Sequence, residues 1–334
     1  MRRLLALLAT PAGRAVRYLI SIALLVFLIR QADWARLSTL RGQFSLPLTL
    51  VALLLSGLVY PLHAWRWWLL LRAQGLSLSL HWTHVVTWVG QFYNAFLLGG
   101  IGGDAARIFY LLRDAPTPRA GALATLVIDR AMGLVVLMGL AALALVAKTA
   151  ALVAEPRLRW LLIAALAITM GGALAATLLL AIAPSRWPAP MRNLLGPARL
   201  ASLTELLSRV RQAPRKHTMA LFVSVVIWLV PFVAVWLLAR AVGLSLPFLE
   251  TCVAMSVAFA ATALPISVGG HGVREGALLA TLAAFGLLAT DAAHDRALLL
   301  ALLVWATTVF WSLVGGIFVL AAPRLLPAAK TPAP

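Results

Sequence analysis

The sequence predicts an all-α polytopic membrane protein with about six full spans and two oppositely oriented re-entrant helical elements forming an inverted repeat. One cytoplasmic interfacial amphipathic helix completes the expected fold. Three observations lead there. The chain is 63% hydrophobic and 11% charged, with a mean hydropathy of +0.97. Soluble chains are about 45–50% apolar and about 25% charged. Two apolar segments are interrupted by glycines in the same pattern, and the basic residues gather in particular loops. No long polar stretch is available to fold apart from the rest, so residues 1–334 read as a single membrane domain.

The first interrupted segment, residues 96–107, places Gly99, Gly100, Gly102 and Gly103 directly before Asp104 and Arg107. Asp104 and Arg107 share a face if helix resumes there. The second, residues 264–275, carries Gly269, Gly270 and Gly272 before Arg274 and Glu275. Gly99, Gly100 and Gly102 align with Gly269, Gly270 and Gly272 at one common offset along the chain. Interrupted apolar segments in corresponding halves are the sequence mark of a transport site. Irregular backbone at membrane depth is tolerated only inside protein or against a wet cavity.

The remaining elements follow in order. Residues 1–14 read as a cytoplasmic lead-in, with a first span near 15–34. The second span runs from about Pro47 to Arg72; His63 and Arg66 share a face near its end, and Arg66 reads as an interfacial anchor within a belt of Trp65, Trp67 and Trp68. Residues 82–113 form the first re-entrant element. The next span, 119–147, contains Asp129 and Arg130 well inside its apolar run. Asp129 lies roughly 15 Å from the start of that helix, close to the bilayer midplane. A charge there costs about 2.5–3.5 kcal/mol on the mildest insertion scale, so it needs partners or a cavity. A further span covers 158–183. Residues 184–216 form a basic cytoplasmic loop in which Leu200, Leu203, Leu207 and Val210 recur at helical spacing, an amphipathic interfacial helix over 197–212. The span 217–241, the second re-entrant element 249–288, a last span 297–321 and a Pro-rich tail at 322–334 complete the chain.

Charge placement supports this topology. Lys and Arg total 28 against 10 Asp and Glu, a formal net charge of +18. If 82–113 crossed the membrane fully, Arg186, Arg192, Arg199, Arg209, Arg211, Arg215 and Lys216 would face outside. If it returns to its own side, they lie in the cytoplasm, together with both termini. Arg36 and Arg41 remain outside as a modest violation. Basic residues in short loops fit anionic lipid headgroups rather than nucleic acid. Cys252 is the single cysteine, which excludes an internal disulfide and a multi-cysteine metal site.

These features suit transport more than catalysis. Helix N-termini beside glycine breaks offer free N–H groups to an anion. Arg107, Arg130 and Arg274 supply forked donors for a phosphate, and Asp104, Asp129 and Glu275 hold those arginines or take up protons. The competing reading makes Asp129–Arg130 and Arg274–Glu275 internal salt-bridge partners that fix helix packing. Asp104-Ala-Ala-Arg107 faintly matches the opening of a CDP-alcohol phosphotransferase motif, but the paired downstream aspartates are missing. With no Ser–His–Asp set, metal cluster or cofactor motif, the expectation is a non-enzyme without a cofactor.

Three blocks resemble one family: Phe92 through Asp104 with Arg107; Ala124 to Gly133 around Asp129–Arg130; and Leu264 through Glu275. In this order they resemble the lysylphosphatidylglycerol synthase transmembrane region family, also called the flippase-like membrane family. One departure is visible: the family usually carries Glu where this chain has Asp129, which keeps the charge and shortens the reach. The resemblance implies a stand-alone member, without an aminoacyltransferase domain, that translocates an anionic phospholipid or glycolipid across a bacterial cytoplasmic membrane. It implies a headgroup site among the glycines of both breaks with Asp104, Arg107, Asp129, Arg130, Arg274 and Glu275. The alternative is a non-transporting membrane subunit that scaffolds or regulates a lipid- or glycan-modifying enzyme.

Overall fold

A computed structural model describes residues 44–96, 102–114, 119–262 and 267–326, with Val26 standing alone. The expected first span, the break residues Gly99 and Gly100, and the tail beyond residue 326 lie outside the described residues. Among the described residues twelve α-helices follow in chain order. They are α1 Leu46–Gly57, α2 Val59–Ala73, α3 Leu80–Phe96, α4 Gly102–Asp114, α5 Arg119–Val146 and α6 Thr149–Ala154, then α7 Pro156–Ala181, α8 Ala189–Gln212, α9 Pro214–Ala241, α10 Phe248–Ala261, α11 Val273–Ala284 and α12 Asp291–Leu325. There is no strand among the described residues.

Local signals set the helix starts. Ser45 caps α1 and Glu155 caps α7, each accepting from a first-turn N–H, with Pro at the start of both helices. Proline is tolerated there because that N–H has no intrahelical partner. Five helical segments are long and apolar enough to cross a membrane: Leu46–Ala73, Gly121–Val146, Pro156–Ala181, Pro214–Ala241 and Asp291–Leu325. Their outward residues are apolar, among them Leu54, Leu143, Met170, Ile317 and Leu320. Contiguous apolar surface on every span is what lipid contact requires. The protein is therefore an all-α, multi-pass membrane protein. Within α8, Gly196 breaks the helix; beyond it Leu200, Leu203, Leu207 and Val210 form the less exposed stripe.

The packing has an exchange symmetry. In one quartet, α2 packs on α3, α3 on α4, α4 on α5 and α2 on α5; in the other, α9 packs on α10, α10 on α11, α11 on α12 and α9 on α12. Across the two, α3 lies against α12 and α10 against α5, while α1 and α2 lie along α9. The leading helices run antiparallel: Ser45 N–H donates to Ala241 O at one end, and Lys216 Nζ to Arg72 O at the other.

Each broken element doubles back. Trp82 Nε1 donates to Asp114 Oδ2 at 2.7 Å, so the start of α3 sits beside the end of α4. Gly103 N–H donates to Asn94 Oδ1 at 2.9 Å where the two helices approach the break. A Cβ on Gly103 would collide with Gly90 O and the Asn94 amide, so this hairpin closes on glycine. In the second element α10 packs on α11, and Arg296 at the start of α12 donates to Gly243 O just beyond α9. The hairpins thus start from opposite ends of the bundle, and the end of α3 meets the turn that precedes α11. His271 Nε2 lies 3.2 Å from Ala95 O, and a Cβ on Gly269 would press on the Asn94 and Ala95 carbonyls.

Candidate functional site

The first hairpin carries a chain of charges from the surface inward. Arg130 forms a forked pair with Asp104, at 3.0 Å from Nε to Oδ2 and 2.8 Å from Nη2 to Oδ1. The Arg130 side chain is 55% exposed, on the same α5 stripe as the exposed Val127 and Leu134. This ion pair thus sits in mid-span on an otherwise apolar, outward-facing stripe. One turn along α4 from Asp104, Arg107 turns inward and places Nη1 3.5 Å from Asp129 Oδ2. Asp129 is only 3% exposed and accepts from Arg66 Nε at 2.7 Å.

Neighbouring groups hold these arginines. Arg66 Nη1 donates to Ser224 Oγ at 3.1 Å, and Nη2 lies 3.3 Å from His63 Nδ1. A guanidinium only donates, so that His63 nitrogen accepts. Gly133 lies beside it, and a Cβ there would stand in ordinary contact, 3.4 Å from Arg66 Nη1. Arg107 stacks over Trp67 at 5.1 Å, and Trp67 Nε1 donates to Thr125 Oγ1 at 3.1 Å. Two neighbouring groups result: Arg66 and Arg107 share Asp129, and Arg130 pairs with Asp104. Three guanidiniums thus face two carboxylates, an excess of one positive charge among these described residues. Burying such a charge is costly, and an anion that reaches it relieves the cost.

The Arg274–Glu275 pair of the second hairpin is neutral and tightly wired. Arg274 donates through Nε to Glu275 Oε1 at 2.9 Å, and through Nη1 to Thr308 Oγ1 at 2.8 Å. Glu275 Oε2 accepts from Gly272 N–H at 2.7 Å. Gly272 adopts φ +81°, in the left-handed region open to glycine, and this turn starts α11. Arg274 also borders a small central cavity of about 60 Å³, which Ser56, Tyr60, Thr307 and Thr308 line with hydroxyls.

The residues expected at the site fall into three places. Gly102, Gly103, Asp104, Arg107, Asp129 and Arg130 gather around the first hairpin; Gly269, Gly270, Gly272, Arg274 and Glu275 form the second; Gly99 and Gly100 lie outside the described residues. Asp129 and Arg130 do not pair with each other: Asp129 turns inward to Arg66 and Arg107, and Arg130 outward to Asp104. Arg274 and Glu275 do pair. Arg66 differs from its reading as an interfacial anchor: it is buried, 2% exposed, and is the nearest partner of Asp129. The signal available in the sequence was its depth, a turn and a half inside Arg72 and on the face of His63. Ser224 had no such signal, since one serine in an apolar span names no partner.

A multi-pass, all-α membrane protein is the class these features define. Residues 14–316 match the family model of the lysylphosphatidylglycerol synthase TM region. The chain belongs to that family. Searches of curated proteins and of solved structures found no match.

Proposed function

We propose that the chain is a lipid flippase that carries an anionic phospholipid or glycolipid headgroup across a bacterial cytoplasmic membrane, with the acyl chains left in the bilayer. Both hairpins act as re-entrant elements entering from opposite faces, and both termini and the basic 184–216 segment lie in the cytoplasm. The observation that carries this reading is the excess positive charge of Arg66, Arg107 and Arg130 over Asp104 and Asp129, which runs from the half-exposed Arg130 to the buried Arg66. A headgroup phosphate entering beside Arg130 meets Arg107 next, and arginine forks match phosphate in two-point contacts. The lipid-handling family supports the same substrate class. In this reading the protein has no catalytic residue and no cofactor, and its partners are membrane lipids.

Reconstitution tests it. Liposomes containing wild-type protein should exchange labelled anionic lipid between leaflets, and Arg107→Gln/Arg274→Gln should lower that rate by tenfold or more. Normal exchange in a monodisperse, fully helical double variant would sink the proposed site. No exchange with any lipid, together with co-purification of a lipid- or glycan-modifying enzyme, would favour the scaffolding alternative.

A further inference from the structure

The basic end of the bundle holds a second feature, apart from the charge chain. The C-terminal end of α2, the end of α8 and the start of α9 converge around a cavity of about 370 Å³, lined by Trp68, Leu69, Arg72, Gly75, Leu76 and Lys216. No acidic side chain is among those six. The carbonyls at the end of α2, which would repel an anion, are already covered: Lys216 Nζ donates to Arg72 O at 3.0 Å and Arg209 Nη1 to Gln74 O at 2.6 Å. Glu205 is held by Arg209 at 2.6 Å.

The cations keep donors to spare. Lys216 uses one of its ammonium hydrogens on Arg72 O. The Arg72 guanidinium lies 5.6 Å from the Trp68 ring centroid and makes no hydrogen bond or ion pair to another described residue. A flat, aromatic-backed guanidinium with free edges is the arrangement that receives a phosphate in two-point fashion. Leu69 and Leu76 complete the wall with apolar surface, suited to the glycerol and first methylenes below a headgroup. Basic pockets between membrane helices bind anionic headgroups by this combination of charge and apolar wall.

We propose that this cavity binds a phosphate-bearing anion, presented as the headgroup of an anionic membrane phospholipid that stays bound at the bundle's edge. The site is independent of the transport reading: its residues lie outside both hairpins, and its test needs no lipid movement.

The experiment follows thermal unfolding of the purified full chain in neutral detergent. Dioctanoyl phosphatidylglycerol should raise the midpoint of wild type, since a ligand that binds only the folded state stabilises it. Dioctanoyl phosphatidylcholine at equal concentration should not. Arg72→Gln/Lys216→Gln should weaken the apparent affinity for phosphatidylglycerol by at least about tenfold, the scale of losing charged hydrogen bonds. Arg72→Gln alone removes a side chain with no hydrogen bond to another described residue, so it provides a folded variant and should show the same direction of loss. An undiminished response in Arg72→Gln and in the double variant would overturn the site. An equal midpoint shift with inorganic phosphate would overturn the lipid as the source of the anion.

Discussion

Asp129 holds the buried charges of the first hairpin together. Its carboxylate is the counter-ion of Arg66 at 2.7 Å and of Arg107 at 3.5 Å, and it is almost fully enclosed. Removing one partner of a buried ion pair leaves an uncompensated charge, a loss of about 3–5 kcal/mol. Asp129→Asn should therefore lower the unfolding midpoint in detergent strongly, and Arg66→Gln in the same chain should recover part of it. Asp104 pairs instead with Arg130, whose side chain is half-exposed. Asp104→Asn removes the partner of one arginine and not the shared counter-ion of two, so it should cost less than Asp129→Asn. Equal losses in the two single variants would contradict the assignment of one pair to the interior and the other to the outward face. The shorter side chain of Asp129 also bears on Arg107, which it meets only at the long distance, so Arg107 is the more loosely held of its two arginines.

At the scale of elements, close helix approach depends on a few glycines and not on glycine in general. Gly103 sits against Gly90 O and the Asn94 side chain, and Gly315 of α12 sits against Trp88 O of α3. Gly103→Val should force α3 and α4 apart and destabilise the protein by about 1–3 kcal/mol, the usual cost of overpacking. Gly171, inside α7, has no neighbour within 4 Å of a built Cβ. Gly171→Ala should leave stability unchanged or raise it by up to about 1 kcal/mol, because alanine loses less backbone freedom in a helix. Thermal unfolding of the two variants side by side checks both. A destabilised Gly171→Ala would show a contact on the outer face of α7.

For the whole molecule, the exchange symmetry of the two quartets predicts opposite accessibility for corresponding ends. In a Cys252→Ala background, a cysteine at Arg113 should be labelled by a membrane-impermeant maleimide only from the cytoplasmic side, and one at Asp291 only from outside. Labelling of both from one side would remove the proposed opposed orientation. The aromatic packing of Tyr60, Trp88 and Trp311, with Trp88 stacked on Phe318 at 5.3 Å, fastens α2, α3 and α12 into one body. Motion between the quartets must then repack this cluster or the meeting point of His271 with Ala95.

Much of this architecture is written locally. An apolar run long enough for the bilayer, a proline or capping residue at its start and a glycine break are each properties of neighbouring residues. Composition and spacing alone therefore determined the membrane class, the five described spans, the stripe on α8 and the common offset of the two glycine patterns. Pairing of charges is different, because an arginine's partner is whichever carboxylate the packed helices bring near. Only the tertiary structure decided that Asp129 belongs to Arg66 across 63 residues, that Arg130 turns back to Asp104, and that Ser224 completes the cluster from α9. The physical reason is one of range: helix formation is set within a few turns, whereas low-dielectric electrostatics acts between side chains that only the packed bundle makes neighbours.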